Sequence, residues 1–112
     1  MNRRDYQTIV DVTSEALGIK TRVVKIKKVN AGHAGKNYIT IPKWADEYDE
    51  QFQIYYAVHE ICHYLPGNLN HKKKFKKDED KALALWDIHI VRKKAYPKLV
   101  YCNGMPIKNI PK

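Results

Sequence analysis

The run His59-Glu60-Ile61-Cys62-His63 has the form His-Glu-x-x-His. On an α-helix, side chains four residues apart lie on one face, one turn above each other. Two imidazole nitrogens in that register converge on one tetrahedral ion, and the carboxylate of Glu60 is in reach of a water held by that ion. Zinc in such a site lowers the pKa of its water toward roughly 7, and a neighbouring carboxylate can then take the proton. The chemistry implied is metal-assisted hydrolysis, with peptide bonds as the expected substrate. With five His and five Glu in the chain, a chance match has a probability of about one per cent by simple multiplication. Val58, Ile61, Cys62 and Leu65 give the segment the apolar backing that seats a helix in a core. Cys62 points away from the histidine face and reads as core.

A catalytic zinc site takes three protein ligands and leaves a fourth position for water. Three candidates for the third ligand follow: His71, Glu79 and His89. On one regular helix His71 and Glu79 would stand about 12 Å apart along the axis, and His71 and His89 about 27 Å, so only one of them can reach the same ion. Glu79 falls in the middle of an apolar face made by Phe75, Ala82, Leu83 and Trp86, where a carboxylate is unfavourable unless it meets a charge or a metal. His71 argues from reach, because a short loop after Gly67 can fold the start of the next helix back over His59 and His63.

These side chains need a scaffold. At 112 residues, 44% hydrophobic and 29% charged, the chain is expected to be one folded domain. Residues 4–17 show helical spacing, stopped by Gly18. Residues 21–29 and 37–41 read as strands, and the glycine-containing loop between them suggests an antiparallel hairpin. Residues 46–65 read as the motif helix, ended by Pro66-Gly67. Asn70 is a good N-cap for a further helix running to about residue 96, before Pro97. The expected class is α+β, a small antiparallel sheet or hairpin packed on an N-terminal helix, the motif helix and a long second helix. Residues 1–97 would form the catalytic domain, and residues 98–112 an extended tail. Trp44 and Trp86 read as core. Tyr96, Tyr101, His89 and Arg92 are possible donors to an oxyanion, and nothing in the sequence selects among them.

The net charge is +9, concentrated at Lys72-Lys73-Lys74 and Lys76-Lys77. Such a cluster can attract nucleic acid or an acidic surface, but no base-reading motif accompanies it, so a solvated helix face is favoured over a nucleic-acid partner. No apolar run is long enough for a membrane helix, and no apolar stretch follows Arg3-Arg4 as in a signal peptide. A cytoplasmic location is expected. Two cysteines, Cys62 and Cys102, are too few for a disulfide framework.

The stretch Tyr55-Tyr56-Ala57-Val58-His59-Glu60-Ile61-Cys62-His63-Tyr64-Leu65 resembles the active-site helix of gluzincin-type metallopeptidases. Asn70-His71 followed by Phe75 resembles the Asn-His-x-x-x-Phe element of SprT-like zinc peptidases, where that histidine is the third ligand. Glu79 with Ala82 resembles the Glu-x-x-Ala element of membrane-embedded gluzincins, where the glutamate is the third ligand, although Leu83 stands where those proteins carry an aspartate. In size and layout the chain is most similar to the small soluble minigluzincins. That resemblance covers most of residues 20–96. It implies a zinc-dependent endopeptidase with His59, His63 and His71 on the metal and Glu60 as general base. It also implies a strand, matched by residues 37–41, that pairs with the substrate backbone, and a C-terminal segment that holds the enzyme latent as a zymogen. The tail would cover its own active site or, exchanged within a homodimer, that of a second chain. Cys102 could in addition approach the zinc, since a thiolate is a good ligand, but a tail without that contact is favoured. The alternatives are a DNA- or RNA-associated SprT-like zinc protein and a regulatory module that keeps the fold without turnover.

Overall fold

Asn2 starts the first helix. Its side chain accepts a hydrogen bond from the Asp5 amide at 2.8 Å, and the Asp5 carboxylate accepts one in return from the Asn2 amide at 3.3 Å. Two otherwise unpaired amide groups are satisfied by this reciprocal cap. The helix, α1 (Arg3–Leu17), buries Tyr6, Ile9, Val10 and Thr13 and ends at Gly18, whose φ of 70° is the left-handed turn glycine tolerates. The structure, a computed structural model, describes residues 1–93 and 99–107.

Three strands follow: β1 (Val23–Lys27), β2 (His33–Ala34) and β3 (Tyr38–Pro42). The sheet order is β1-β3-β2. The expected hairpin between residues 21–29 and 37–41 is therefore corrected: β1 and β3 run parallel, with Val24 opposite Ile39 and Ile26 opposite Ile41. The tight antiparallel partner of β3 is β2, reached through Gly35-Lys36-Asn37. Residues 28–32 carry the chain past the end of β3, where space is short. A Cβ on Gly32 would lie 2.3 Å from the Thr40 carbonyl oxygen and 2.8 Å from the Tyr56 ring, and the Gly32 amide donates to the Tyr56 hydroxyl at 2.8 Å.

A 3-10 turn (Lys43–Glu47) leads to α2 (Glu50–Cys62), which carries the motif. The helix begins later than residue 46 because the Asp49 side chain caps it, accepting from the Phe52 amide at 2.9 Å. From Phe52 to Cys62 every residue except Ile54 is buried. A helix buried on nearly all sides needs partners all round; α1, α3, β3 and β5 pack against it. His63 closes the helix, with its amide donating to the Glu60 and Ile61 carbonyls.

Next comes α3 (Lys73–Ala84), with Lys72 rather than Asn70 at the N-cap. It ends twelve residues before position 96. Asp87 turns the chain with φ 54°, and residues read as helix become β4 (Ile90–Lys93). Residues 99–107 pair with it: β5 (Leu99–Cys102) and β6 (Met105–Ile107) complete a second antiparallel sheet in the order β4-β5-β6. Asn103 and Gly104 make the β5–β6 turn at φ 48° and 84°, the left-handed geometry of a two-residue hairpin turn. Asn103 also accepts from the His89 amide and donates to the His89 carbonyl, fixing the start of β4. In the tail read from residue 98 onward, residues 99–107 are thus a β-hairpin of the second sheet, and Val100, Cys102 and Ile107 belong to the core. Residues 94–98 and 108–112, and with them Tyr96, lie outside the described residues.

The class is α+β, as the sequence implies: the described residues form three α-helices with two small sheets. Among the described residues no helix is long and apolar enough to cross a membrane.

Candidate metal centre

The turn at Pro66-Gly67 and the loop after it return the chain over the end of α2. His71, in that loop, meets both motif histidines. Its Nε2 lies 3.0 Å from Nε2 of His59 and 3.1 Å from Nε2 of His63. Among the described residues these three form the one group of His, Cys, Asp or Glu with ligand atoms close enough to share an ion. Phe75, on the first turn of α3, packs against all three rings, at centroid distances of 4.9, 4.7 and 5.0 Å for His59, His63 and His71.

The outer nitrogens fix the tautomers. His59 Nδ1 meets Glu79 Oε2 at 2.5 Å, and His63 Nδ1 meets the Asn68 carbonyl oxygen at 2.9 Å. A carbonyl or carboxylate oxygen only accepts, so each Nδ1 carries the proton and each Nε2 of the neutral ring presents a lone pair to the centre. Burial holds His71 below its ordinary pKa, which favours its neutral, lone-pair-bearing ring. The three nitrogens lie within 4.8 Å of one another, with His71 at about 3 Å from each of the other two, and lone pairs so placed repel unless a proton or a cation lies between them. The donor set fits zinc, which takes imidazole nitrogen in catalytic three-ligand sites.

Each partner behind the rings is itself held. Glu79, 2% exposed, accepts from Arg92 at 2.5 Å, and Arg92 donates also to Asp80 at 2.9 Å. Burial pushes the Glu79 carboxyl up, but His59 and Arg92 outweigh it and hold it below its ordinary value. The Asn68 side chain donates to the Cys62 carbonyl at 3.0 Å and to Asp78 at 2.9 Å, and Lys74 donates to Asp78 at 2.7 Å. Such partners orient ligand histidines and raise their basicity.

Glu60 is fully buried, and neither carboxylate oxygen has a hydrogen-bond partner. Burial, and then the charge of Glu79, push its pKa up to about 8. A buried carboxylate without a partner is costly and marks a group with work to do. It lines a cleft of about 450 Å³ shared with His63, Tyr64, Leu69 and residues 32–36. The strand bordering this cleft is β2, whose outer edge is unpaired in the sheet. Of residues 37–41, expected to offer their main chain to a substrate, residues 38–41 lie in β3 at the sheet centre with a strand on either side; this is a second correction.

Of the residues singled out in the sequence, His59, His63 and His71 come together, and Glu60 shares a cleft with His63. Glu79 stands behind His59 instead of among the Nε2 atoms. Arg92 is engaged by Glu79 and Asp80. Cys102 is buried in the second sheet, outside the cluster, where burial and Asp49 push its thiol up to about 11. Trp44 and Trp86 pack against the core. Sequence reasoning missed Asn68 and the pairing of Arg92. Asn68 carried a signal: a polar residue just after Pro66-Gly67, where the last carbonyls of α2 need donors.

Comparison of the chain with protein-family models, curated proteins and solved structures finds no match. The reading of the site rests on its own geometry.

Proposed function

We propose that the chain is a zinc-dependent metallopeptidase, with His59, His63 and His71 holding the metal and Glu60 as general base. The observation that carries this reading is the pairing of three converging imidazole nitrogens with an unpartnered, buried Glu60 carboxylate next to His59, with Glu60 and His63 bordering one cleft. When bound, zinc supplies Lewis acidity, polarising a carbonyl and acidifying water. Glu60 accepts the water proton at a carboxylate oxygen and returns it to the leaving amine. Glu79 and the Asn68 carbonyl hold His59 and His63 in the Nδ1–H tautomer throughout. An extended peptide laid in the cleft meets the outer edge of β2, whose main-chain groups can pair with it.

The test is hydrolysis of an unfolded protein substrate by the zinc-loaded chain. Cleavage is expected to stop with a chelator, return with zinc, and be absent from Glu60→Gln protein that keeps one zinc per chain. Folded, zinc-loaded protein that leaves the substrate intact, both as the full chain and after removal of residues 108–112, rejects the reading.

A further inference from the structure

The sheet that walls the cleft carries charge of one sign. Residues 18–43 contain seven Lys and Arg and no Asp or Glu. Among the described residues none of the seven is in a salt bridge. Several are held in place over aromatic rings. The Arg22 guanidinium lies 3.9 Å from the centroid of Tyr64, a cleft residue, and the Lys25 and Lys27 ammonium groups lie 4.2 and 5.6 Å from that of Tyr38. A cation–π contact positions such a head group without neutralising it. Lys36 lines the cleft directly. On the opposite wall Leu69 is 92% exposed, and beyond His71 the loop and α3 present exposed Lys72, Lys73, Lys76 and Lys77. The one carboxylate among the cleft residues is Glu60, and it is buried.

Lys36 on the cleft and Arg22 over Tyr64 set a positive potential along this wall, and a groove lined by one sign of charge focuses it on a bound chain. The Debye length at physiological salt is about 8 Å, so the cations at the rim act on a bound chain and remote ones do not. The anion could be polypeptide or nucleic acid. Binding of a single strand of nucleic acid uses open aromatic faces for stacking, and here one face of Tyr64 is covered by Arg22 and one face of Tyr38 by Lys25. The cleft offers instead a free strand edge and an exposed leucine, which suit an extended polypeptide.

We propose that the cleft selects peptide segments rich in Asp and Glu, with Lys36 and Arg22 as specificity-determining residues. The proposal rests on the metallopeptidase reading, and its test separates the two. Three peptides with one common central sequence are flanked by acidic, neutral or basic residues. Their kcat/KM is measured with the zinc-loaded chain, and their binding to zinc-loaded Glu60→Gln protein is followed by fluorescence anisotropy, at low and high salt. The acidic peptide is expected to lead the neutral one by about tenfold at low salt, with the lead shrinking as salt rises. Lys36→Glu and Arg22→Glu are expected to shift the ratio toward the basic peptide. Equal cleavage and equal binding of all three overturns the charge selection and leaves hydrolysis standing. Salt-dependent binding of the acidic peptide without any cleavage upholds the surface and removes the hydrolysis reading. Absence of both cleavage and binding overturns the proposal. So does a single-stranded oligonucleotide that binds more tightly than the acidic peptide and is lost with Lys36→Glu.

Discussion

Glu79 meets His59 at the ring nitrogen that faces away from the other two histidines, Oε2 to Nδ1 at 2.5 Å. The contact spans 20 residues of sequence and joins α3 to the motif helix. It gives the carboxylate, which the apolar pattern of α3 marks as out of place, a partner that makes its burial tolerable.

The two former candidates for the metal should separate in a binding assay. His71→Ala removes one of three converging nitrogens and is expected to weaken zinc binding by orders of magnitude. Glu79→Gln leaves all three nitrogens and is expected to cost about 10- to 100-fold, the range for partners behind a ligand. Competition with a chromogenic chelator measures both. The reverse ranking would place Glu79 on the metal and His71 off it.

Arg92 should matter through Glu79 alone. Arg92→Met frees one Glu79 oxygen and is expected to weaken zinc binding by no more than Glu79→Gln does. Combined, the two substitutions should cost little more than the larger single effect, because they act on one chain of contacts. Full additivity in the same assay would show that Arg92 reaches the site by another route.

Asp78 predicts a pH dependence in the zinc-free protein. The bonds from Lys74 and then Asn68 hold its carboxyl below the ordinary value. A group with a depressed folded pKa stabilises above its unfolded pKa, near 3.9, and loses that contribution as pH falls through the folded value. Wild type should therefore exceed Asp78→Asn in stability at pH 6, by no more than about 1 kcal/mol for an exposed pair. The gap should close toward pH 2. Urea titrations of both proteins across that range measure it, and a gap that widens on acidification would contradict the assignment.

Gly32 is constrained by its neighbours rather than by its φ. Its added methyl in Gly32→Ala would press on the Thr40 carbonyl and the Tyr56 ring, and overpacking of this kind costs about 1–3 kcal/mol. A fall in thermal midpoint is expected, larger than that of Tyr56→Phe, which removes the hydrogen bond and keeps the ring. An unchanged midpoint for Gly32→Ala would show that the crossing of β3 has room to spare.

The core of the site is legible in sequence because it is local. The register of His59 and His63 follows from helix geometry alone, and His71 follows from how far a short loop reaches after Gly67. Glu79 was legible as a misfit and not as a partner, since nothing local points from α3 to His59 Nδ1. The strand order was not legible. Pairing of β1 with β3 depends on β2 taking the tight turn at Gly35-Lys36-Asn37, and periodicity is blind to which neighbour a strand takes. The end of α3 was hidden for a related reason. Ile90 fits the helical stripe of Leu83 and Trp86, and the break at Asp87 is fixed by Asn103, 16 residues further on. Asn103-Gly104 carried the local signal for that second sheet, an Asn-Gly pair between Val100 and Ile107.

The second sheet also imposes an order of events during synthesis. The three histidines all lie within residues 59–71, and emerge from the ribosome well before β5 and β6. Chains fold from the N-terminal side as they are made, so a nascent chain can gather its imidazoles while β4 still lacks the strands that hold Arg92 against Glu79. Until Ile107 has joined the sheet, His59 is without its full brace. If the site holds zinc as proposed, a truncated product that stops before β6 is expected to bind it less tightly than the full chain.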